Sequence, residues 1–232
     1  RVIVGAELVL DPPVPSRSPN SPTEARLFAL SHAPSVVLLA RDHEGYSNLC
    51  RLLTLAHADR PKGEGGLRLD DLATYHQGLV AIVPAPRDPD GPDAPPDELL
   101  SIVSGVFEER GFLSAHRHLD GLDVVRLAAV EAWSARHSID VVASARPLFH
   151  RRSRKVVADV LDCIREGTTL DRAGTALSAN TEAFLRSEPE MQRLFRERPA
   201  WVDRSGEVAS ACRFSLSELR YHFPCALAPG ES

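Results

Sequence analysis

His116 and His118 stand two residues apart behind the apolar stretch Phe112 to Ala115. On an extended backbone both imidazoles face one side. Such a pair supplies half of a transition-metal site, and a metal held there would activate water. Without further ligands the pattern more often describes an ordinary surface or core pair. The run Arg151-Arg152-Ser153-Arg154-Lys155 is the one local basic cluster. It opens a helix near Ser153, where cations oppose the helix dipole at a cost of up to ~1 kcal/mol each. A phosphate bound there would offset that cost; a solvated face or pairing with acidic neighbours is the plainer account. Asp88-Pro89-Asp90 has the spacing of a two-metal carboxylate pair but lies in a Pro-rich loop. Two-metal chemistry requires carboxylates held rigidly around ions ~4 Å apart. The chain has no P-loop, no G-x-G-x-x-G, and no Ser-His-Asp order with elbow glycines.

The 232 residues carry a formal net charge of -5, with 43% hydrophobic and 25% charged residues. That composition builds a core and gives no global nucleic-acid footprint. Cys50, Cys163, Cys212 and Cys225 form no C-x-x-C pair. A structural zinc site is therefore not expected; reduced thiols in a cytoplasmic protein are. No apolar run approaches the ~18 residues of a membrane span, so no membrane partner is expected. The chain opens at Arg1 inside an apolar run, Val2-Ile3-Val4, which reads as a cut through a larger protein.

Short apolar runs at Val2 to Leu10, Val36 to Ala40, Leu79 to Val83, Phe112 to Ala115 and Ile139 to Ala143 read as strands. Between them, helices are expected over Glu44 to His57, Leu69 to Tyr75, Asp97 to Arg110 with Asp97 as N-cap, and Asp123 to Arg136. Residues 11 to 24, 62 to 66 and 84 to 96 read as loops. Val124, Leu127, Ala128 and Trp133 are the expected buried face of the Asp123 helix. A further helix, Ser153 to Arg165, closes at Gly167. Strand-helix alternation predicts an α/β fold with parallel strands and helical crossovers, as a barrel or a doubly wound sheet. Residues 181 to 213 read as wholly helical, with Leu185, Met191, Leu194, Phe195, Trp201 and Val208 as apolar positions. The expected division is an α/β domain over 1–167 and a helical extension over 168–232.

Four strings, in order, resemble the error-prone bacterial C-family DNA polymerases. The strongest is Asp159-Val160-Leu161-Asp162-Cys163-Ile164-Arg165-Glu166-Gly167-Thr168; next come Cys212 to Tyr221 with Phe223-Pro224, Glu44 to Leu52, and Lys62-Gly63-Glu64. The similarity runs from Gly5 to the end of the chain. The resemblance implies a PHP-type distorted β/α barrel, here incomplete because its first strands would precede Arg1, followed by the helical segment. It also implies a parent enzyme whose magnesium-binding palm would lie beyond Ser232. An open barrel would leave unpaired strand edges, so the isolated chain is expected to be marginally stable or to associate.

The resemblance also assigns ligand positions. β/α barrels place their chemistry at strand C-terminal ends. Glu7 matches the family's strand glutamate and His118 a family histidine. The family's Asp-x-His falls on Arg146-Pro147-Leu148, so Arg146 and Leu148 replace two ligands. A guanidinium cannot ligate a cation. The reading is a degenerate centre with its metal lost, filled by a Glu7–Arg146 ion pair. His150 lies just past the lost motif and reads as a loop histidine. No cofactor is expected in this chain.

Three functions follow. The first is a non-catalytic PHP-like domain bracing a lesion-tolerant DNA-directed DNA polymerase. Its partners would be the rest of the polymerase chain, DNA through that parent, and accessory replication or mutagenesis proteins. The second is a metal-dependent phosphoesterase or exonuclease, against which the lost Asp-x-His counts. The third is an interaction module that docks through its 181 to 213 helices.

Overall fold

A computed structural model describes residues 2–11, 33–58, 60, 65–165, 167–174 and 177–220. The expected loops at 11 to 24 and 62 to 66, and Cys225, lie largely or wholly outside these. Five strands form one sheet in the order β1 (Gly5–Val9), β2 (Ser35–Ala40), β3 (Leu79–Pro84), β4 (Gly111–Ala115) and β5 (Asp140–Ala143). All five match the expected apolar runs.

Direction does not match. β1 and β2 run antiparallel, as do β2 and β3; only β3, β4 and β5 are mutually parallel. From β2 onward, the number of helices in each connection explains the difference. Two helices, α1 (His43–His57) and α2 (Leu69–Thr74), lie between β2 and β3. They carry the chain out and back, so it re-enters beside the end it left, where Arg41 N–H donates to Gly78 O at 2.9 Å. One helical passage separates β3 from β4, and one, α4 (Asp123–His137), separates β4 from β5. A single helix returns the chain to the strand's starting end, which gives a parallel pair. Apolar runs carry no information on strand direction.

The passage from β3 to β4 departs in a second way. Pro96, not Asp97, occupies the N-cap of α3 (Asp97–Ile102), and the helix widens into a π-turn over Val103–Phe107 before a 3-10 turn at Glu108–Arg110. Asp97 instead pairs with Arg136 at 3.2 Å.

One face of the sheet meets α1 to α4. Leu8, Leu38, Ala81, Val83, Leu113 and Val141 pack there with Leu49, Leu52, Leu72, Leu99 and Leu127. Val80, Phe112 and Val142 point to the other face and meet Val208 and Cys212. The alternation of neighbours such as Val80 and Ala81 between two clusters is the period of an extended strand. α1 starts against β3 with no room for a side chain: a Cβ on Gly45 would sit 1.8 Å from Gly78 O. Asp42 caps this helix through the Gly45 N–H at 2.9 Å.

The later segments are α5 (Lys155–Arg165), α6 (Leu170–Ala173), α7 (Glu188–Leu194) and α8 (Pro199–Ala211). Residues 181 to 187 are not helical; Phe184 bridges to Phe149 there, and Leu185 is exposed. Phe195, after α7, joins the main core.

The sheet is not closed, because β1 and β5 form its two edges. Part of each edge has a partner. Arg204 and Ser205 of α8 donate to the Val141 and Ala143 carbonyls of β5 at 2.7 and 2.8 Å. Leu67 N–H donates to Val9 O at the end of β1 at 2.8 Å, and Asp11 N–H donates to Leu67 O at 3.0 Å. The open sheet has the edge strands that were expected, and these contacts satisfy three of their carbonyls.

Candidate functional site

β4 ends at Ala115 and releases a loop that carries His116, Arg117 and His118 to the start of α4. The fixing of this loop begins with Asp123. Its carboxylate accepts the backbone N–H groups of His118 and Leu119, both at 3.0 Å. It also accepts Arg126 Nη1 at 2.9 Å. Arg126 has no exposed side chain and binds Asp120 at 2.8 Å, with the carbonyls of Pro86 at 3.2 Å and Arg87 at 3.0 Å. Asn180 closes the loop from outside, donating to the His118 and Leu119 carbonyls at 2.7 and 3.0 Å. One buried guanidinium therefore ties the ends of β3 and β4 together. α4 buries Asp123, Arg126, Leu127 and Val130; of the expected face, Leu127 is buried and Trp133 packs on the core, while Val124 and Ala128 are exposed.

The two imidazoles lie side by side, with ring centroids 4.6 Å apart. His116 is almost wholly buried. Burial, followed by the charges of Arg126, His118 and Arg146, pushes its pKa down to about 2. Burial also lowers His118, against the pull of the Ala145 carbonyl, which lies 3.0 Å from Nε2. Both rings are held neutral at physiological pH. Burial pushes the Asp120 carboxyl up, but its hydrogen bonds from Arg126 and the Leu122 N–H outweigh this and hold it low.

Arg146 lies three residues past the end of β5, next to the Ala145 carbonyl that meets His118. Its φ of 37° is a left-handed backbone that Asn, Asp and Gly adopt more readily than Arg. From there Nη2 reaches Glu7 Oε1 at 3.1 Å. The same carboxylate oxygen accepts Ser35 Oγ at 2.6 Å. This pair joins the two edge strands of the sheet. It lies in a cleft of about 140 Å³ whose walls include Pro84, Pro86 and Asp93. Arg146 thus brings Glu7 and the histidine loop to one corner of the sheet. Leu148 is exposed, and its backbone N–H binds Ala183 O at 2.9 Å.

These residues do not fit a divalent cation. Asp120 and Asp123 are committed to Arg126, and Glu7 to Arg146 and Ser35. Among the described residues, no three His, Cys, Asp or Glu side chains converge closely enough to hold a metal. The basic run is partly neutralised. Arg152 pairs with Glu182 and lies 4.4 Å from the Phe184 ring centroid, while Lys155 binds Asp159 at 2.7 Å. Burial pushes Glu182 up, but hydrogen bonds from Arg186 and Arg152 outweigh that and hold it low. Arg151, Arg154 and His150 are exposed.

No family model matches the chain. Curated relatives do. An error-prone DNA polymerase of Ruegeria pomeroyi is 38% identical over 220 residues, covering 95% of this chain and 20% of the relative. One from Anaeromyxobacter dehalogenans is 33% identical over 232 residues, covering 96% and 18%. One from Caulobacter vibrioides is 31% identical over 202 residues, covering 87% and 18%. The chain is homologous to one segment of the error-prone DNA polymerases. It spans about a fifth of the length of the relatives it matches. Among the described residues no helix is long and apolar enough to cross a membrane.

Sequence reasoning missed the Asp120–Asp123–Arg126 network. Its signal was present: an acidic residue at the start of an apolar helix with an arginine three residues later. Taking Val124, Leu127, Ala128 and Trp133 as the buried face left the side of α4 that carries Asp123 and Arg126 out of the reading.

Proposed function

We propose that this chain is the PHP-like domain of an error-prone DNA polymerase and that it braces the polymerase without catalysing a reaction of its own. The observation that carries this reading is the guanidinium of Arg146, 3.1 Å from the Glu7 carboxylate at the strand ends. By the resemblance, both stand at metal-ligand positions. A fixed cation there takes the place of a dication, satisfies Glu7 and repels any metal that approaches. His116 and His118, both neutral, offer at most two ligands, one short of the three protein ligands of catalytic zinc sites. The parent would extend a primer with deoxynucleotides through a magnesium centre elsewhere in its chain. It would work in the cytoplasm, on damaged templates, with accessory replication or mutagenesis proteins. Direct DNA contact by Arg151 and Arg154 fits the reading less well, because Arg152 and Lys155 already have acidic partners.

The purified chain is incubated with primer-template, deoxynucleotides and magnesium, and separately with a phosphodiester and manganese or zinc. The reading requires no primer extension and no hydrolysis. Hydrolysis abolished by Glu7→Gln would revive the phosphoesterase reading, and primer extension would place a palm within this chain.

A further inference from the structure

α5 is turned inside out. Three of its four charged residues turn toward the protein: the Lys155–Asp159 pair is less than a fifth exposed, at 19% and 14%, and Asp162 is 24% exposed, while Arg165 lies out at 62%. Cys163 is the one residue the helix buries, and Ala158 packs on Phe149, Ala183 and Phe184. Its aliphatic residues face outward. Val156, Val157, Val160, Leu161 and Ile164 are between 40% and 71% exposed, and Leu170 of α6 is exposed at 46%. On a helix these five positions fall within one broad face. Apolar side chains scattered singly over a surface need no partner, but a continuous stripe does.

We infer that this stripe is the docking surface for the polymerase portion that the relatives carry outside the matched fifth. The inference rests on the reading above and adds the contact face. Two observations choose the occupant. The relatives extend this homologous segment with about four times its length of further chain, so a large surface of the same polypeptide is at hand. The string through which the chain most resembles the family, Asp159 to Thr168, shares Val160, Leu161 and Ile164 with this stripe, although α5 adds only Cys163 to the buried residues. Charge narrows the occupant further. Arg151 and Arg154 are exposed at the N-terminal end of the stripe. The facing surface is therefore an apolar groove or helix face with carboxylates at one rim.

The test places a photo-cross-linking phenylalanine analogue at Leu161 in two proteins. One is the 232-residue chain. The other is the Ruegeria pomeroyi polymerase with its matched fifth replaced by this chain. In the chimera, cross-links should map to polymerase segments outside the replaced fifth. Ile164→Glu should cut their yield about tenfold, while Val124→Glu, on an exposed site of α4, should leave it unchanged. The chain alone should remain monomeric and bind an apolar dye whose fluorescence Ile164→Glu lowers several-fold; this arm decides if the chimera fails to fold. A tight dimer cross-linked through Leu161, or a folded chimera with no cross-link beyond the replaced fifth, overturns the inference. Neither result depends on metal content or hydrolysis, so the non-catalytic reading stands or falls separately.

Discussion

Arg126 and Arg146 are both paired arginines at the strand ends, and they differ in what surrounds them. Arg126 is fully buried and holds two carboxylates and two carbonyls, while Arg146 is 37% exposed and has Glu7 as its partner at 3.1 Å. The first assembles the scaffold on which the site residues stand. The second, in the proposed reading, stands where a metal would. A buried charge with every partner in place is costly to break, whereas a half-exposed pair is worth little to stability. Arg146 also sits in an unfavourable backbone conformation, so its role is better sought in what it keeps out than in what it holds together.

The largest effect expected from this contrast is at Arg126. Arg126→Met leaves Asp120 without its cation, leaves Asp123 only Arg117 at 3.7 Å, and frees the Pro86 and Arg87 carbonyls. A loss of about 3–5 kcal/mol is expected, read as a drop in the urea midpoint. A loss under about 1 kcal/mol would show that the network is not structural.

The next effect is on pH. His116 has a folded pKa of about 2 against an ordinary 6.5. The folded state therefore does not take up the proton that the unfolded chain binds. Stability is full above about pH 6.5 and falls as the pH drops below it. Between pH 7.5 and 5.5 His116 alone should cost about 1.4 kcal/mol, and His118, also lowered, acts in the same direction. His116 Nδ1 is buried with no hydrogen-bond partner, so His116→Leu should cost little at pH 7.5 and flatten the acid slope. An unchanged slope would mean that His116 is hydrated in solution.

The smallest effect falls on the Glu7–Arg146 pair. Glu7→Gln and Arg146→Ala should each shift stability by about 0–1 kcal/mol, and a double-mutant cycle should give a coupling within that range. A coupling of several kcal/mol would make Arg146 a second scaffold arginine and erase the contrast.

Much of this was legible in the sequence. β-branched and aliphatic runs marked the five strands, and the Leu49, Leu52 and Ala56 periodicity marked α1 and its buried face. The Glu7–Arg146 pair was expected from the resemblance and is present. Strand direction was not legible, because it depends on how many helices return the chain. The outward face of α5 was not legible either. Its aliphatic spacing is that of a core helix, and only the fold shows that Asp159, Asp162 and Lys155 took the inner side. The burial of Asp123 and Arg126 was hidden for the converse reason: their charge cancels only in three dimensions.

The central claim is that a guanidinium has taken the place of a metal. The most direct measurement is elemental analysis of the purified chain after incubation with excess manganese or zinc and removal of free ion. Run alongside is the Arg146→Asp/Leu148→His double variant, which restores the two family ligands. The account predicts well under about 0.1 equivalents for both proteins, because the side chain at position 148 is exposed to solvent and Asp120 and Asp123 stay bound to Arg126, which leaves too few ligands for a tight site. Near-stoichiometric metal on the unaltered chain would contradict it.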